Sequence, residues 1–182
     1  MSLVFTTSYL EDACAIFHHY KKLADSAIDQ VSEVDLMRVL DPEMNSIAIV
    51  MKHMAGNMLS RWTDFLTSDG EKPTRDRDSE FENSPANRAD LIALWERGWK
   101  CLFHALDPLT EADLIRTVTI RGEAHSVTQA INRQVAHLSY HTGQIVLLAK
   151  HFQSADWKSL SVPRGQSQQF NERVRAGKAS QR

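Results

Sequence analysis

Apolar residues recur at helical spacing through most of the chain and predict four long helices. The first opens at a capping box over 8–11, formed by a serine and a glutamate. The second opens at Asp41-Pro42-Glu43, where an N-cap acid precedes a proline at the first helical position, and runs to about Thr67. Residues 69–84, DGEKPTRDRDSEFENS, form a polar crossover of alternating charge, and the third helix starts at Ser84-Pro85.

A short hairpin precedes the last predicted helix. Residues 117–120 are alternating β-branched residues before the turn Arg121-Gly122. A second capping box, over 126–129, opens the fourth helix, which continues to about Phe152 before an irregular tail. The long crossover lets the second and third helices run parallel. The pattern therefore predicts an all-α fold, a four-helix bundle with a short β-hairpin before the fourth helix.

Length and composition fit one domain with an adequate core. The chain has 182 residues, of which 42% are hydrophobic and 24% charged, and we place the domain at 1–171. The net charge of −2 gives no electrostatic reason to bind nucleic acid or anionic membrane. From Arg164 onward, five Lys/Arg face a single acid, Glu172. We interpret 172–182 as a flexible, solvated basic tail, with a phosphate-binding arm as the alternative.

Cysteine usage and the apolar runs bear on the compartment. Cys14 and Cys101 lie far apart and there is no C-x-x-C motif, so the sequence indicates neither a cysteine zinc site nor a redox pair. The N-terminus lacks a basic segment followed by an apolar core, and the longest apolar runs are too short to span a membrane. These features favour a cytoplasmic protein without a membrane partner.

The fourth helix carries the most informative chemistry, the pair His137 and His141. Residues four apart are neighbours on one face of a helix, so two imidazoles at this spacing can bind one metal ion if a third ligand is supplied elsewhere. Both flank the apolar stripe, beside Gln134 and Gln144. A core histidine bonded to a backbone carbonyl is the alternative for either residue alone. Two on one flank, with polar neighbours, favour a metal site.

The second predicted helix supplies the candidate third ligand, His53. Its apolar residues lie on nearly opposed faces, which an ordinary surface helix does not show. If His53 faces the metal, the wider apolar face becomes a candidate homodimer surface, because Met and Trp are enriched at interfaces. The alternative is that this face is simply the monomer core. We call it the Met/Trp stripe: Met44, Ile47, Met51, Met54, Met58, Trp62 and Phe65.

Other site chemistries are mostly excluded. The chain has no H-E-x-x-H, E-x-x-H, G-x-S-x-G, Walker or G-x-G-x-x-G motif, and no catalytic residue can be assigned. Asn57 and Arg61 follow His53 by one and two turns, and Arg133 precedes His137 by one turn. They are candidates to orient the ligands or an anionic substrate, with ordinary surface hydrogen bonding as the alternative. Three nitrogen ligands suit zinc or nickel, between which affinity order alone does not choose.

Long segments of the chain resemble a bacterial branch of the DinB/YfiT-like superfamily, from the first helix to about residue 171. The resemblance is carried by NSIAIVMKHMAGNMLSRWTDFLTSDGEKPTRDRDSEFE, by TIRGE in the hairpin, and by INRQVAHLSYHTGQIVLLAKHF followed by SLSVPRGQS. It implies a four-helix bundle of up-down-down-up order and a homodimer. It also implies a divalent metal held by one histidine of the second helix and an H-x-x-x-H pair of the fourth, at His53, His137 and His141.

The resemblance implies a function class, not a reaction. Better-known relatives are transferases that use the thiols bacillithiol or mycothiol, in which the metal activates the thiol. Our first hypothesis is therefore a metal-dependent thiol S-transferase, or a related hydrolase-like enzyme. The second is a non-catalytic, metal-stabilised dimeric binding or stress-response protein. The crossover 69–84 is equally compatible with a substrate lid and with a structural clasp.

Overall fold

The computed structural model describes residues 5–83 and 85–180. Within these ranges the chain forms six α-helices, three short 3-10 turns and one two-stranded antiparallel hairpin. The mostly helical class and the hairpin are as predicted, whereas the four-helix bundle and its up-down-down-up order remain predictions. The elements are α1 Tyr9–Ile28, α2 Glu33–Met37, α3 Ile47–Trp62, α4 Arg88–Leu106, β1 Thr117–Ile120, β2 Glu123–Ser126, α5 Val127–Gln153 and α6 Ser167–Arg175.

Helix α3 lies at the centre of the packing. It contacts α4 most extensively and also α5, while α1 packs along α5. Twelve of its sixteen residues are buried, so apolar side chains on several sides are enclosed by one chain. Met51, Met54 and Met58 are fully buried in the core. The prediction that the Met/Trp stripe is a dimer surface is therefore wrong: from Ile47 onward the stripe is the monomer core.

The start of α3 also differs from the prediction. The segment Asp41-Pro42-Glu43 forms a turn, in which the Met44 N–H donates to the Asp41 carbonyl at 2.8 Å. The helix instead begins after Ser46, whose hydroxyl accepts from the Ile49 N–H at 3.2 Å. An acid followed by proline is as compatible with a β-turn as with the start of a helix, so the motif does not distinguish the two. The short α2 was not predicted.

The second and third predicted helices are shorter than expected. Helix α3 ends at Trp62, because Thr63 is extended and Asp64 has a left-handed φ of 47°. Ser84, the expected start of the third helix, lies outside the described residues. Helix α4 begins three residues after Pro85, where the Asn87 side chain accepts from the Asp90 N–H at 2.9 Å.

The hairpin and the start of α5 match the prediction. Strand β1 pairs with β2 from Thr117↔Ser126 to Ile120↔Glu123, and both turn residues have positive φ. The capping box at Ser126 closes in both directions with Gln129. The local signals for the turn and for the capping box suffice because each depends on residues within four positions.

Beyond α5, the predicted irregular tail contains the additional helix α6, which buries none of its residues. No helix in the described ranges is both long and apolar enough to cross a membrane.

Candidate metal centre

Three histidines from two helices converge beside the core. His53 projects from the buried middle of α3, and His137 and His141 project one turn apart from α5. Their candidate ligand atoms all lie within 4.8 Å of one another, and the Nε2 atoms of His53 and His137 are 3.1 Å apart. The predicted convergence is thus present, and the cluster could hold a metal ion.

A buried carboxylate fixes the ring of His53. The Glu80 carboxylate accepts from His53 Nδ1 at 2.8 Å and receives two further hydrogen bonds, from Arg75 Nε at 2.8 Å and Nη2 at 2.9 Å. Burial acts to raise the pKa of Glu80, but the hydrogen bonds from His53 and Arg75 hold it below its usual value. Because an ionised carboxylate only accepts, Nδ1 carries the proton and the Nε2 lone pair faces the cluster.

Helix α5 holds its own pair of imidazoles in a different way. The Gln144 side-chain oxygen lies 2.7 Å from His141 Nδ1, which leaves Nε2 of that ring for a ligand. Burial, with His141 and His53 nearby, lowers the pKa of His137 to about 3. Burial also lowers the pKa of His141. Both rings are therefore neutral near pH 7, the state in which imidazole binds metal.

The cluster opens into a cavity of about 420 Å³ between α3, α5, the crossover and the hairpin. Within the described part of the chain, six buried side-chain polar atoms lack a hydrogen-bond partner, and four of them belong to residues that line this cavity. Buried polar groups are normally hydrogen-bonded, so their concentration here indicates a site that takes a ligand or ordered water. The four atoms are Asn57 Oδ1, Trp62 Nε1, Gln134 Nε2 and His137 Nδ1.

The donor set fits a divalent transition metal. Two ligands about 2.1 Å from one tetrahedral ion lie roughly 3.4 Å apart, close to the 3.1 Å between the Nε2 atoms of His53 and His137. Metal-binding histidines usually donate their other ring nitrogen to a carboxylate, a carbonyl or water, and the Glu80 carboxylate and the Gln144 side-chain carbonyl are acceptors of this kind. Only the orphaned Nδ1 of His137 lacks such a partner among the described residues.

The crossover forms one wall of the site and is fastened to the hairpin. Asp69 accepts from the backbone N–H groups of Arg121 and Gly122, both at 2.8 Å, and Glu71 accepts from Arg121 Nε at 3.0 Å. Glu71 also pairs with Arg61 and Arg75, at 2.9 and 3.3 Å. Of the two interpretations left open by the sequence, these contacts favour the clasp.

The three residues predicted around the ligands all line the cavity but differ in what they do. Asn57 is buried with an unpartnered oxygen. Arg61 donates to the Gly70 carbonyl at 2.6 Å and to Glu71, so it secures the crossover. Arg133 is exposed at the rim.

Sequence reasoning missed the partners that the crossover contributes. Glu80 hydrogen-bonds to His53, and Arg75 hydrogen-bonds to Glu80. The Phe81 ring lies 4.5 Å from the His53 ring, centroid to centroid. The crossover contains several acids at similar positions in the charge pattern, so nothing local singled out Glu80. The one available signal was general, namely that a metal-binding histidine usually donates its second nitrogen to a carboxylate.

Fold and site together define a mostly helical protein with a three-histidine cluster that could hold a metal ion. Residues 4–166 match the family described as "Protein of unknown function (DUF1572)", and the chain belongs to this family. No curated protein matches the chain.

Proposed function

We propose that the protein binds one divalent metal ion through His53, His137 and His141 and acts as a metal-dependent transferase on a small-molecule thiol. The observation that carries this proposal is the cavity into which the three imidazoles open. Three histidine ligands are typical of catalytic metal sites, which keep one coordination position for water or substrate. When bound, such an ion lowers the pKa of a coordinated thiol or water.

The chain's own groups have separate roles in this proposal. Glu80 and Gln144 hold the rings of His53 and His141 so that their Nε2 lone pairs face one point. Burial keeps His137 neutral and ready to ligate. The unpartnered oxygen of Asn57 supplies a polar contact for a ligand in the cavity. Nitrogen donors suit zinc or nickel, and we propose these two metals as the candidates.

The rival hypothesis is a metal that only fixes the helices of a non-catalytic binding or stress-response protein. A purely structural site is normally closed by a fourth protein ligand. The described residues contain a group of three, with open space beside it and polar atoms in the wall. This observation favours the enzyme.

We also propose that the chain belongs to the DinB/YfiT-like superfamily, with its up-down-down-up bundle, and that it forms a homodimer. Both proposals rest on the sequence resemblance, together with the position of one histidine on α3 and two on α5. Since the Met/Trp stripe is core, the dimer would use another surface. Light scattering at micromolar concentration tests the dimer, and a monomer would contradict it.

A thiol-conjugation assay tests the function. Protein made without a histidine tag is compared in zinc-loaded, nickel-loaded and chelator-treated forms. Each form is given cysteine, glutathione, bacillithiol or mycothiol with a chromogenic electrophile. We expect conjugation of at least one thiol only in a metal-loaded form, and its loss in His137→Ala. His104→Ala, an exposed histidine outside the cluster, is the matched control. A protein that binds metal yet conjugates none of these thiols would favour the non-catalytic alternative.

A further inference from the structure

Positive charge is concentrated around the cavity. Its described lining residues include no aspartate or glutamate. The three histidines contribute no negative charge, and a bound divalent ion would add positive charge. Like charges gathered in a low-dielectric cleft attract anions and hold them there. Five arginines line the cavity: Arg61, Arg75, Arg77, Arg121 and Arg133.

Two of these arginines are not committed to holding the crossover. Arg61, Arg75 and Arg121 each donate to Glu71, at 2.9, 3.3 and 3.0 Å. Arg133, in contrast, makes no hydrogen bond or ion pair within the described ranges. Arg77 lies over the Phe81 ring, 5.1 Å from its centroid, and its nearest acid is the solvent-exposed Asp78 at 3.8 Å. Their guanidinium groups are available to a ligand.

The cavity also has an apolar side. Trp62 at the end of α3 and Phe65 in the turn that follows face it, with ring centroids 4.9 Å apart, and Val118 and Ile120 face it from β1. All four side chains are nearly completely buried. Trp62 Nε1 has no partner, so this wall offers a buried donor as well as apolar surface. A ligand with a charged end and an apolar body matches both sides.

Resting on the proposed function, we propose that the substrate of this site is a small organic anion. Its acid group is bound by Arg133, with Arg77 as a second cation, and its apolar body packs against Trp62, Phe65 and the hairpin. Arg133 lies one turn before His137 on the same helix face, so an acid group bound there lies beside the histidine cluster. A volume of about 420 Å³ is within the range of roughly 300–1,000 Å³ found for small-molecule sites.

Calorimetric titration with matched probes tests this proposal. The probes are 3-phenylpropionate, its neutral isostere 3-phenylpropionamide, and inorganic phosphate, which has charge without an apolar body. A hydrogen-bonded charge contact is worth about tenfold or more in Kd, so we expect the carboxylate to bind at least about tenfold more tightly than either other probe. Each titration is done on zinc-loaded and chelator-treated protein, with zinc stoichiometry measured on the same sample.

Two variants test whether Arg133 is the residue that binds the acid group. Arg133→Gln should weaken carboxylate binding about tenfold and leave amide binding unchanged. Arg97→Gln, an exposed arginine of α4 outside the cavity, removes the same charge elsewhere and should change Kd by less than about twofold. Because Arg133 is exposed and makes no hydrogen bond or ion pair among the described residues, its replacement should not alter folding, which circular dichroism checks.

The outcomes separate this inference from the metal proposal. Equal binding of carboxylate and amide, or no binding of either by protein that holds one zinc, overturns the organic anion and leaves the metal site standing. Carboxylate preference that depends on Arg133 in a protein that binds neither zinc nor nickel supports the anion site and contradicts the metal proposal. An equal loss in the Arg133 and Arg97 variants would show only a general charge effect and would overturn the assignment to Arg133.

Discussion

The two halves of the histidine cluster are held in different ways. On α5, His137 and His141 are four residues apart. His141 Nδ1 donates to the side-chain oxygen of Gln144, three residues further along the same helix, and His137 Nδ1 has no partner among the described residues. On α3, His53 is held by Glu80, 27 residues away, and through it by Arg75. The α5 half is thus local in sequence, whereas the α3 half depends on the crossover folding back onto the helix.

This difference indicates where the site is vulnerable. The pair on α5 keeps its spacing as long as the helix forms. The position of His53 depends on a buried ion pair, in which Arg75 and Glu80 side chains are 5% and 7% exposed. Breaking one partner of such a pair leaves the other charge buried, which costs more than losing a surface contact. Substitution of Glu80 or Arg75, which hold His53, should therefore lower stability and metal affinity more than substitution of Gln144, which holds His141.

The largest effect is expected from Glu80→Ala. Removing the carboxylate leaves the Arg75 guanidinium buried with only its longer contact to Glu71, so the free energy of unfolding should fall by about 3–5 kcal/mol. Urea unfolding of the metal-free protein measures it. Asp78→Ala, in the 3-10 turn Asp78–Phe81 that also contains Glu80 but with a solvent-exposed side chain, should change stability by less than about 0.5 kcal/mol. Similar losses in the two variants would mean that the buried pair has no special role.

Gly56→Ala is expected to have the next largest effect. A Cβ at this position of α3 would lie 2.5 Å from Glu80 Oε1, so the carboxylate could not keep its place. The cost of overpacking, about 1–3 kcal/mol, should exceed the gain in helix propensity, about 1 kcal/mol or less. Gly143→Ala on α5, where a Cβ meets nothing within 4 Å, isolates that gain and should be neutral or stabilising. A neutral Gly56→Ala would show that Glu80 can shift freely.

The zinc affinities of two variants compare the α3 and α5 halves of the cluster directly. Glu80→Gln keeps the shape but removes the charge that orients His53, and it should weaken zinc binding about 10- to 100-fold. Gln144→Ala removes a neutral acceptor from half-buried His141, so the loss should be less than about tenfold. Competition with a chromogenic chelator gives both constants. A larger loss of zinc affinity in the Gln144 variant would show that the α5 half depends more than the α3 half on its hydrogen-bond partner.

The last prediction concerns how the stability of the metal-free protein depends on pH below 6.5. His137 has a pKa of about 3 when folded, against an ordinary value of 6.5. Below about pH 6.5 the unfolded chain takes up a proton that the folded chain does not, so the free energy of unfolding should fall as the pH decreases. The range from pH 6.5 to 5 lies above the ordinary range of the carboxylates. In His137→Gln the slope over this range should be shallower, and an unchanged slope would contradict the assignment.

The parts that could be predicted are those set by near neighbours. The Ser126 capping box, the Arg121-Gly122 turn and the pairing of His137 with His141 each depend on residues within a few positions. The start of α3 could not be predicted, because Asp41-Pro42 suits a turn as well as a helix. Glu80 could not be singled out, because its role comes from the folding of the crossover onto Gly56 and His53. The Met/Trp stripe was misassigned because periodicity does not reveal how many elements surround a helix.

Metal stoichiometry combined with thermal unfolding tests the central claim most directly. Tag-free protein is analysed for bound metal and melted with excess zinc and with chelator. We expect one zinc per chain and a higher melting temperature with zinc, because a ligand at a hundredfold excess over Kd adds about 2.7 kcal/mol to the folded state. His137→Ala should lose most of this increment and keep its helical content. Absence of bound metal, with identical melting temperatures in zinc and chelator, would contradict the three-histidine metal site.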